Sequence, residues 1–177
     1  MSIVARHSLQ VRAGHLGDAG RLAVLGAQVW LHTYATDGVN DEIAQYVLSE
    51  FSAEKFSVLL RGPETCLLVA EYGGCLVGYA CIKLGAACPH GAKSVAELGT
   101  LYVQEHFIGQ GIGRLLLQAA ETEALERAAS PLWLTVNAKN ARAIAFYARQ
   151  GYANLGTTHF VLGKAHHENH VLLGAAA

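Results

Sequence analysis

The chain has 177 residues, of which 52% are hydrophobic and 15% charged. That length fits a single domain over 1–177, and so high an apolar fraction excludes a disordered chain. Thirteen Lys+Arg against fourteen Asp+Glu leave a formal net charge of −1, which provides no electrostatic drive toward nucleic acid.

Charge this sparse requires much apolar surface to be hidden, in a core, a ligand groove or a partner copy. We therefore expect a homodimer that meets through the final strands. Met1–Gln10 holds no apolar targeting run, and the uncharged stretch Leu22–Thr36 is shorter than the ~20 residues needed to cross a membrane. Cys66, Cys75, Cys81 and Cys88 form no CxxC pair. They sit in apolar runs and read as reduced thiols of a cytoplasmic protein.

Leu9–Ala13 alternates as a first strand. Asp18 is placed to cap a helix to about Tyr34, with Leu22, Leu25 and Val29 on one face. Thr36–Asn40 breaks it. Asp41–Phe51 and Ala53–Arg61 read as two helices parted by Ser52, and Gly62–Pro63 stops the second. "TCLLVAEY", Gly73–Gly74 and "CLVGYACIKL" make a β-hairpin. A loop follows over Gly85–Lys93, then a fourth strand, "SVAELGTLYV".

The segment "GQGIG" opens a helix from about Gly111 to Ala129, with Gly113, Leu116, Leu117, Ala120, Ala124 and Ala128 inward. "LWLTV" is a fifth strand, joined to the fourth by a right-handed parallel crossover. Asn140 caps a last helix with Ala141, Ile144, Ala145 and Ala148 on one face, and Gly151 stands at its C′ position. "THFVLG" and "HVLLG" flank a polar turn as a final hairpin. Repeats, linkers and low-complexity tracts are absent.

Gly109, Gly111 and Gly113 join a strand to a helix, where free N–H groups and the helix dipole suit an anion. A P-loop needs Gly-Lys-Ser/Thr, which is missing. The G-x-G-x-G spacing is also not the G-x-G-x-x-G of a dinucleotide fold. The remaining motif is the pyrophosphate loop of acetyl-CoA-dependent transferases. Here the sequence resembles the GNAT N-acetyltransferase family over nearly its whole length. The resemblance rests on "VRAGHLGDAGRLAVL", "LYVQEHFIGQGIGRLLL" and "NAKNARAIAFYARQGY". "HFVLGKAHHENHVLL" and the Trp30–Tyr34 region lean toward the spermidine/spermine acetyltransferase branch.

The resemblance implies an α/β fold with a mixed, largely antiparallel sheet of six to seven strands. Helices cover both faces, and a V opens between strands 4 and 5. It implies acetyl-CoA as donor and direct attack by a small-molecule or peptide primary amine. Leu101, Tyr102 and Val103 are expected to meet the pantetheine arm, with the Val103 N–H polarising the thioester carbonyl. Gly109, Gln110, Gly111, Ile112, Gly113 and Arg114 would hold the pyrophosphate, and Asn137, Asn140 and Tyr147 would contact the cofactor. The family usually has Arg or Gln where this chain has Ile108, so the loop amides carry more of the binding here.

Tyr147 suits the acid role, because a phenol with a pKa of ~10 stays protonated near neutrality and can serve a leaving thiolate. Its alternative is an ordinary packing aromatic. Glu97 is the candidate base, acting through water, since two-residue periodicity puts it on one face with Val103; its alternative is a solvated edge carboxylate. His32 or Tyr34 could serve instead. Trp30, His32 and Tyr34 are expected to line the acceptor site, and Asp37, Asp41 and Glu42 are the carboxylates available to a polyamine. His159, His166, His167 and His170 lack a metal-site spacing and read as solvated turn residues, so no metal is expected. The rival reading is a non-catalytic acyl-CoA-binding sensor with the same glycine loop.

Overall fold

β2 (Thr65–Tyr72) and β3 (Cys75–Leu84) carry unbroken runs of buried residues, Cys66–Ala70 and Val77–Ile82. A strand buried at every position must be covered on both faces, and the rest of the chain supplies the two covers. The computed structural model describes residues 8–162 and 165–175. They form β1 (Leu9–Ala13), α1 (Ala19–Tyr34), α2 (Asp41–Glu50), α3 (Ala53–Arg61), β2, β3, β4 (Ala96–Val103), α4 (Ile112–Ala128), β5 (Leu132–Asn137), α5 (Ala141–Arg149), β6 (Ala153–Leu162) and β7 (Ala165–Leu173). The seven strands run in the order β1-β2-β3-β4-β5-β7-β6. Only β4 and β5 pair in parallel.

Alternation along β2 sorts the two covers. Cys66, Leu68 and Ala70 face a core built with Leu116, Leu117 and Ala120 of α4 and Tyr147 of α5. Leu67 and Val69 face Leu22 and Leu25 of α1 and Phe56 of α3. Leu116 and Leu22 are fully buried, each contributing roughly 1.5–3 kcal/mol of transfer free energy. Three helices start at side-chain caps. Asn40 accepts from the Ile43 N–H at 2.9 Å, Ser52 from Lys55 at 3.2 Å and Asn140 from Ala143 at 3.1 Å.

Asp18 departs from the expected role. It stands at the N-cap of α1 but makes no side-chain cap bond. Its fully buried carboxylate accepts from Arg12 at 2.8 Å, from the His15 N–H at 3.0 Å, and from Arg21. A buried anion is more stable against two guanidiniums than against one backbone amide, so it ties β1 to α1.

Three further expectations need correction. β4 begins at Ala96, while Ser94 is buried and donates to the Pro131 carbonyl at 2.7 Å. On α5, Ala141, Ala145 and Ala148 are exposed, and Ala143, Ile144, Phe146 and Tyr147 take the core side, because two aromatic rings bury far more area than alanines. The final strands are longer than "THFVLG" and "HVLLG": pairing runs from Ala153↔Leu173 to Leu162↔Ala165. Gly163, Lys164 and the end of the "GAAA" tail lie outside the described residues, as does most of the leading segment.

Candidate active site

β4 and β5 stay paired only through Ala96↔Leu132 and Glu97↔Trp133. Past that point β4 follows β3 as far as Val103, and β5 follows β7 as far as Asn137. The two strands separate, and the wedge between them holds two adjoining cavities. One, of about 510 Å³, lies against the glycine loop and is lined by Val103, Ile108, Gly109, Gly111, Gly113 and Arg114, among others. The other, of about 280 Å³, lies between α1, α2 and the β6–β7 hairpin. Tyr34, Leu101, Tyr102, Asn140, Ala143 and Tyr147 line both. These shared residues mark where two bound molecules would meet.

The loop geometry follows from its glycines. Gly109 and Gly111 have φ of +82° and +83°, a region that costs other residues roughly 1–2 kcal/mol. Gly111 is the N-cap of α4, so the N–H groups of Ile112, Gly113 and Arg114 begin the helix without intrahelical acceptors. They are unpaired donors at the glycine-loop end of the larger cavity, an arrangement suited to an anion. The Ile112 side chain is buried in the core, leaving only its amide for a ligand. Gln110 turns away, donating to the His106 carbonyl at 3.1 Å. Arg142 and Arg149 of α5 join Arg114 in lining this cavity, so guanidiniums supplement the amides.

Tyr147 is 8% exposed at the junction. Burial pushes its phenol above its ordinary value, with further repulsion from Tyr34, so it is a protonated donor across neutral and mildly alkaline pH. Asn140 caps α5 through its side-chain oxygen and lines both cavities beside Tyr34. Asn137 lines the smaller cavity and accepts from the Lys139 N–H at 2.9 Å.

Glu97 is not brought to this site. Its carboxylate stands 3.7 Å from Lys83 Nζ and lines neither cavity. The two-residue alternation from Glu97 to Val103 breaks at Gly99, which has no partner on β3 because Thr100 pairs with Cys81 and Leu98 with Ile82. That extra residue is a β-bulge. It reverses the alternation, so Leu98, Leu101 and Val103 share the α4 side while Glu97 points to the other.

Trp30 is buried in the wall of the smaller cavity and Tyr34 lines both cavities. His32 lines neither; its ring lies 3.4 Å from Glu105, which also pairs with Arg142 at 3.2 Å. The histidines placed in a turn are on strands instead. His159 pairs with Glu168 and His170 with Thr157. His170 meets Asn154 at 3.0 Å. His167 lines the smaller cavity together with Tyr46, Phe160 and Asn169. Phe160, His167 and Asn169 were missed because their position depends on how far the hairpin extends, which composition does not mark, and Tyr46 because its contact with them is made by α2 packing across the cavity. Among the described residues, no group of three or more His, Cys, Asp or Glu is arranged to hold a metal ion. No helix among them is long and apolar enough to cross a membrane.

Residues 29–152 match the model of the acetyltransferase (GNAT) family. An uncharacterized N-acetyltransferase of Mycobacterium tuberculosis strain H37Rv is 34% identical over 152 residues, covering 86% of this chain and 93% of that one. The fold is similar to the paia N-acetyltransferase of Thermoplasma acidophilum in complex with coenzyme A, with TM-score 0.73, 21% identity and 94% and 98% of the two chains covered. It is also similar to yncA of Salmonella typhimurium with its cofactor acetyl-CoA, at TM-score 0.66 and 19% identity over 96% and 94% of the chains. The chain belongs to the GNAT acetyltransferase family.

Proposed function

We propose that this protein transfers an acetyl group from acetyl-CoA to a primary amine in the wedge between β4 and β5. The observation that carries the reading is the end-to-end placement of two cavities with Tyr147 lining both. Membership of an acetyltransferase family makes acetyl-CoA the donor, and the residues present fit it. The amides of Ile112, Gly113 and Arg114, with Arg114, Arg142 and Arg149, suit its phosphates, and the apolar walls of Val103, Phe107 and Phe146 suit its arm. When bound, it supplies an activated acyl carbon and a thiolate leaving group.

The protein's own tasks are then three. The edge of β4 past Glu97, free of β5, presents backbone amides to the carbonyl oxygen on which charge grows. Tyr147 Oη–H gives one proton to the departing sulfur. Among the described residues, His167 is the one imidazole lining the smaller cavity, and it takes the proton that the amine nitrogen loses as its bond to the acetyl carbon forms. Both residues return to their starting state by exchange with solvent. His167 replaces Glu97 in this reading, since Glu97 is paired with Lys83 outside the cavities.

Four free cysteines support a reducing, cytoplasmic setting. The homodimer reading is supported by β6 being an edge strand with Leu155, Phe160 and Val161 partly exposed, an edge that a second copy would cover; a monomeric mass by light scattering at micromolar concentration would refute it. The catalytic reading is tested by thiol release from acetyl-CoA with an amine panel, wild type against Tyr147→Phe. Turnover that drops about a hundredfold in the variant supports it. Acetyl-CoA binding with no thiol release from any amine would favour the sensor reading.

A further inference from the structure

The smaller cavity has a composition that bears on its occupant. One wall is a continuous run of rings: Trp30 lies 5.2 Å from Tyr34 and 4.8 Å from Tyr46, and Tyr46 lies 6.2 Å from Phe160, centroid to centroid. These rings come from α1, α2 and β6, so the wall is a tertiary construction. Among the described residues, none that lines the cavity is Asp, Glu, Lys or Arg. Asp37 lines a separate depression that shares Tyr34 and Ile43 with the cavity, and neither Asp41 nor Glu42 lines either one.

A second observation concerns β7. Asn169 of β7 lines this cavity, directly across from Asn137 of β5. Its side-chain oxygen is buried, and among the described residues it is the one buried side-chain N or O atom without a hydrogen-bond partner. A buried acceptor left unpaired is costly. Asn169 lines the cavity while this oxygen is closed to solvent, so a turn of the side-chain amide would bring the oxygen to a ligand N–H.

We propose that the acceptor is a primary monoamine with a flat apolar body, an arylalkylamine by chemical class, whose body lies on the ring wall and whose N–H is received by Asn169 Oδ1. The proposal rests on the acetyl-transfer reading of the same site. The rings stabilise one ammonium as it arrives, and the absence of carboxylates lets desolvation favour the neutral amine that can attack. A polyamine would bring a second ammonium into a cavity with no counter-ion, where an unpaired charge is strongly disfavoured. A volume of about 280 Å³ sits at the small end of ligand pockets, which run to roughly 1,000 Å³. The leaning of the C-terminal sequence toward a polyamine branch is not matched by this lining.

The test uses full-length protein loaded with CoA, and acetyl-CoA for turnover, with 2-phenylethylamine, tryptamine, putrescine, spermidine and a lysine tripeptide. Calorimetric binding to the CoA-loaded protein reads the cavity independently of chemistry. The expected result is binding of the two arylalkylamines and kcat/KM at least about tenfold above the polyamines. Asn169→Leu should raise the amine KM about tenfold, leaving the acetyl-CoA KM unchanged. Asp37→Asn should leave both unchanged. Preference for spermidine or the lysine peptide, or loss of amine binding in Asp37→Asn, overturns the proposal while acetyl transfer stands. Arylalkylamine binding without any thiol release supports the cavity assignment and refutes the transfer reading.

Discussion

Tyr147 and Tyr152 hold each other in two ways. Their rings lie 5.5 Å apart, and the Tyr152 N–H donates to the Tyr147 carbonyl at 3.1 Å. With the Gly151 N–H on the Ala148 carbonyl at 3.1 Å and Gly151 at φ +84°, this is a Schellman end with its apolar contact. Tyr152 is fixed in turn by donating to Glu121 of α4 at 3.0 Å. The phenol proposed to protonate the leaving sulfur is thus anchored by a helix terminus.

Removing only the Tyr147 hydroxyl should therefore leave the fold intact. Tyr147→Phe is expected to lower kcat about a hundredfold, with an unchanged melting temperature. Because burial holds the Tyr147 phenol above its ordinary value, no loss of kcat assignable to its ionisation should occur up to pH 10. A pH–rate profile with an alkaline limb near 9 that vanishes in the Phe variant would contradict this.

Gly111→Ala places a side chain at φ +83°. We expect a loss of about 1–2 kcal/mol in stability and at least tenfold weaker CoA binding, because the first-turn amides of α4 shift. Urea unfolding and calorimetry measure the two effects separately. Equal affinity for CoA in the variant would show that the loop amides do not carry the phosphates.

Glu97→Gln removes a carboxylate that pairs with Lys83 outside both cavities. Its kcat should stay within about threefold of wild type, while His167→Gln should lose about tenfold or more, as expected of a general base. The reverse ranking would restore Glu97 as the base.

Asp18 gives the protein a specific acid sensitivity. Its carboxyl is held well below the usual range, its burial offset by Arg12 and the His15 N–H. A depressed carboxylate stabilises fully above its unfolded pKa of about 3.9 and loses that contribution as pH falls below it. Asp18→Asn should lose about 3–5 kcal/mol at pH 7 and show a flatter decline below pH 4. Urea midpoints at pH 7, 4 and 3 measure both.

The thiols should not take part in transfer. Burial pushes Cys66 up and Cys81 up to about 11, and Cys88 is buried, leaving Cys75 exposed. A thiol reagent is expected to find one reactive group in the native protein and four after denaturation, and Cys75→Ser should retain full activity. Loss of activity in that variant would point to a covalent route.

Features set by local backbone chemistry were legible in the sequence. Gly109, Gly111 and Gly151 stand where positive φ is required, and Asn140 caps the helix it precedes. The wedge and its placement between the fourth and fifth strands followed from the family resemblance. What escaped depends on relations between distant segments. The bulge at Gly99 shifts every later β4 residue by one face, and no residue type announces it. The α5 stripe was misread because four alanines mask the pull of Phe146 and Tyr147. His167 and Asn169 reach the cavity only because β7 begins at Ala165 and pairs with both β5 and β6.

In the proposed reaction the wedge between β4 and β5 binds the acetyl donor with Tyr147 at its junction. A crystal structure of the protein with bound CoA tests it most directly. The expected result is the pyrophosphate on the amides of Ile112, Gly113 and Arg114, the arm along Leu101–Val103, and the sulfur within hydrogen-bond reach of Tyr147 Oη. A CoA molecule bound elsewhere, or one whose sulfur lies beyond reach of Tyr147, would contradict it.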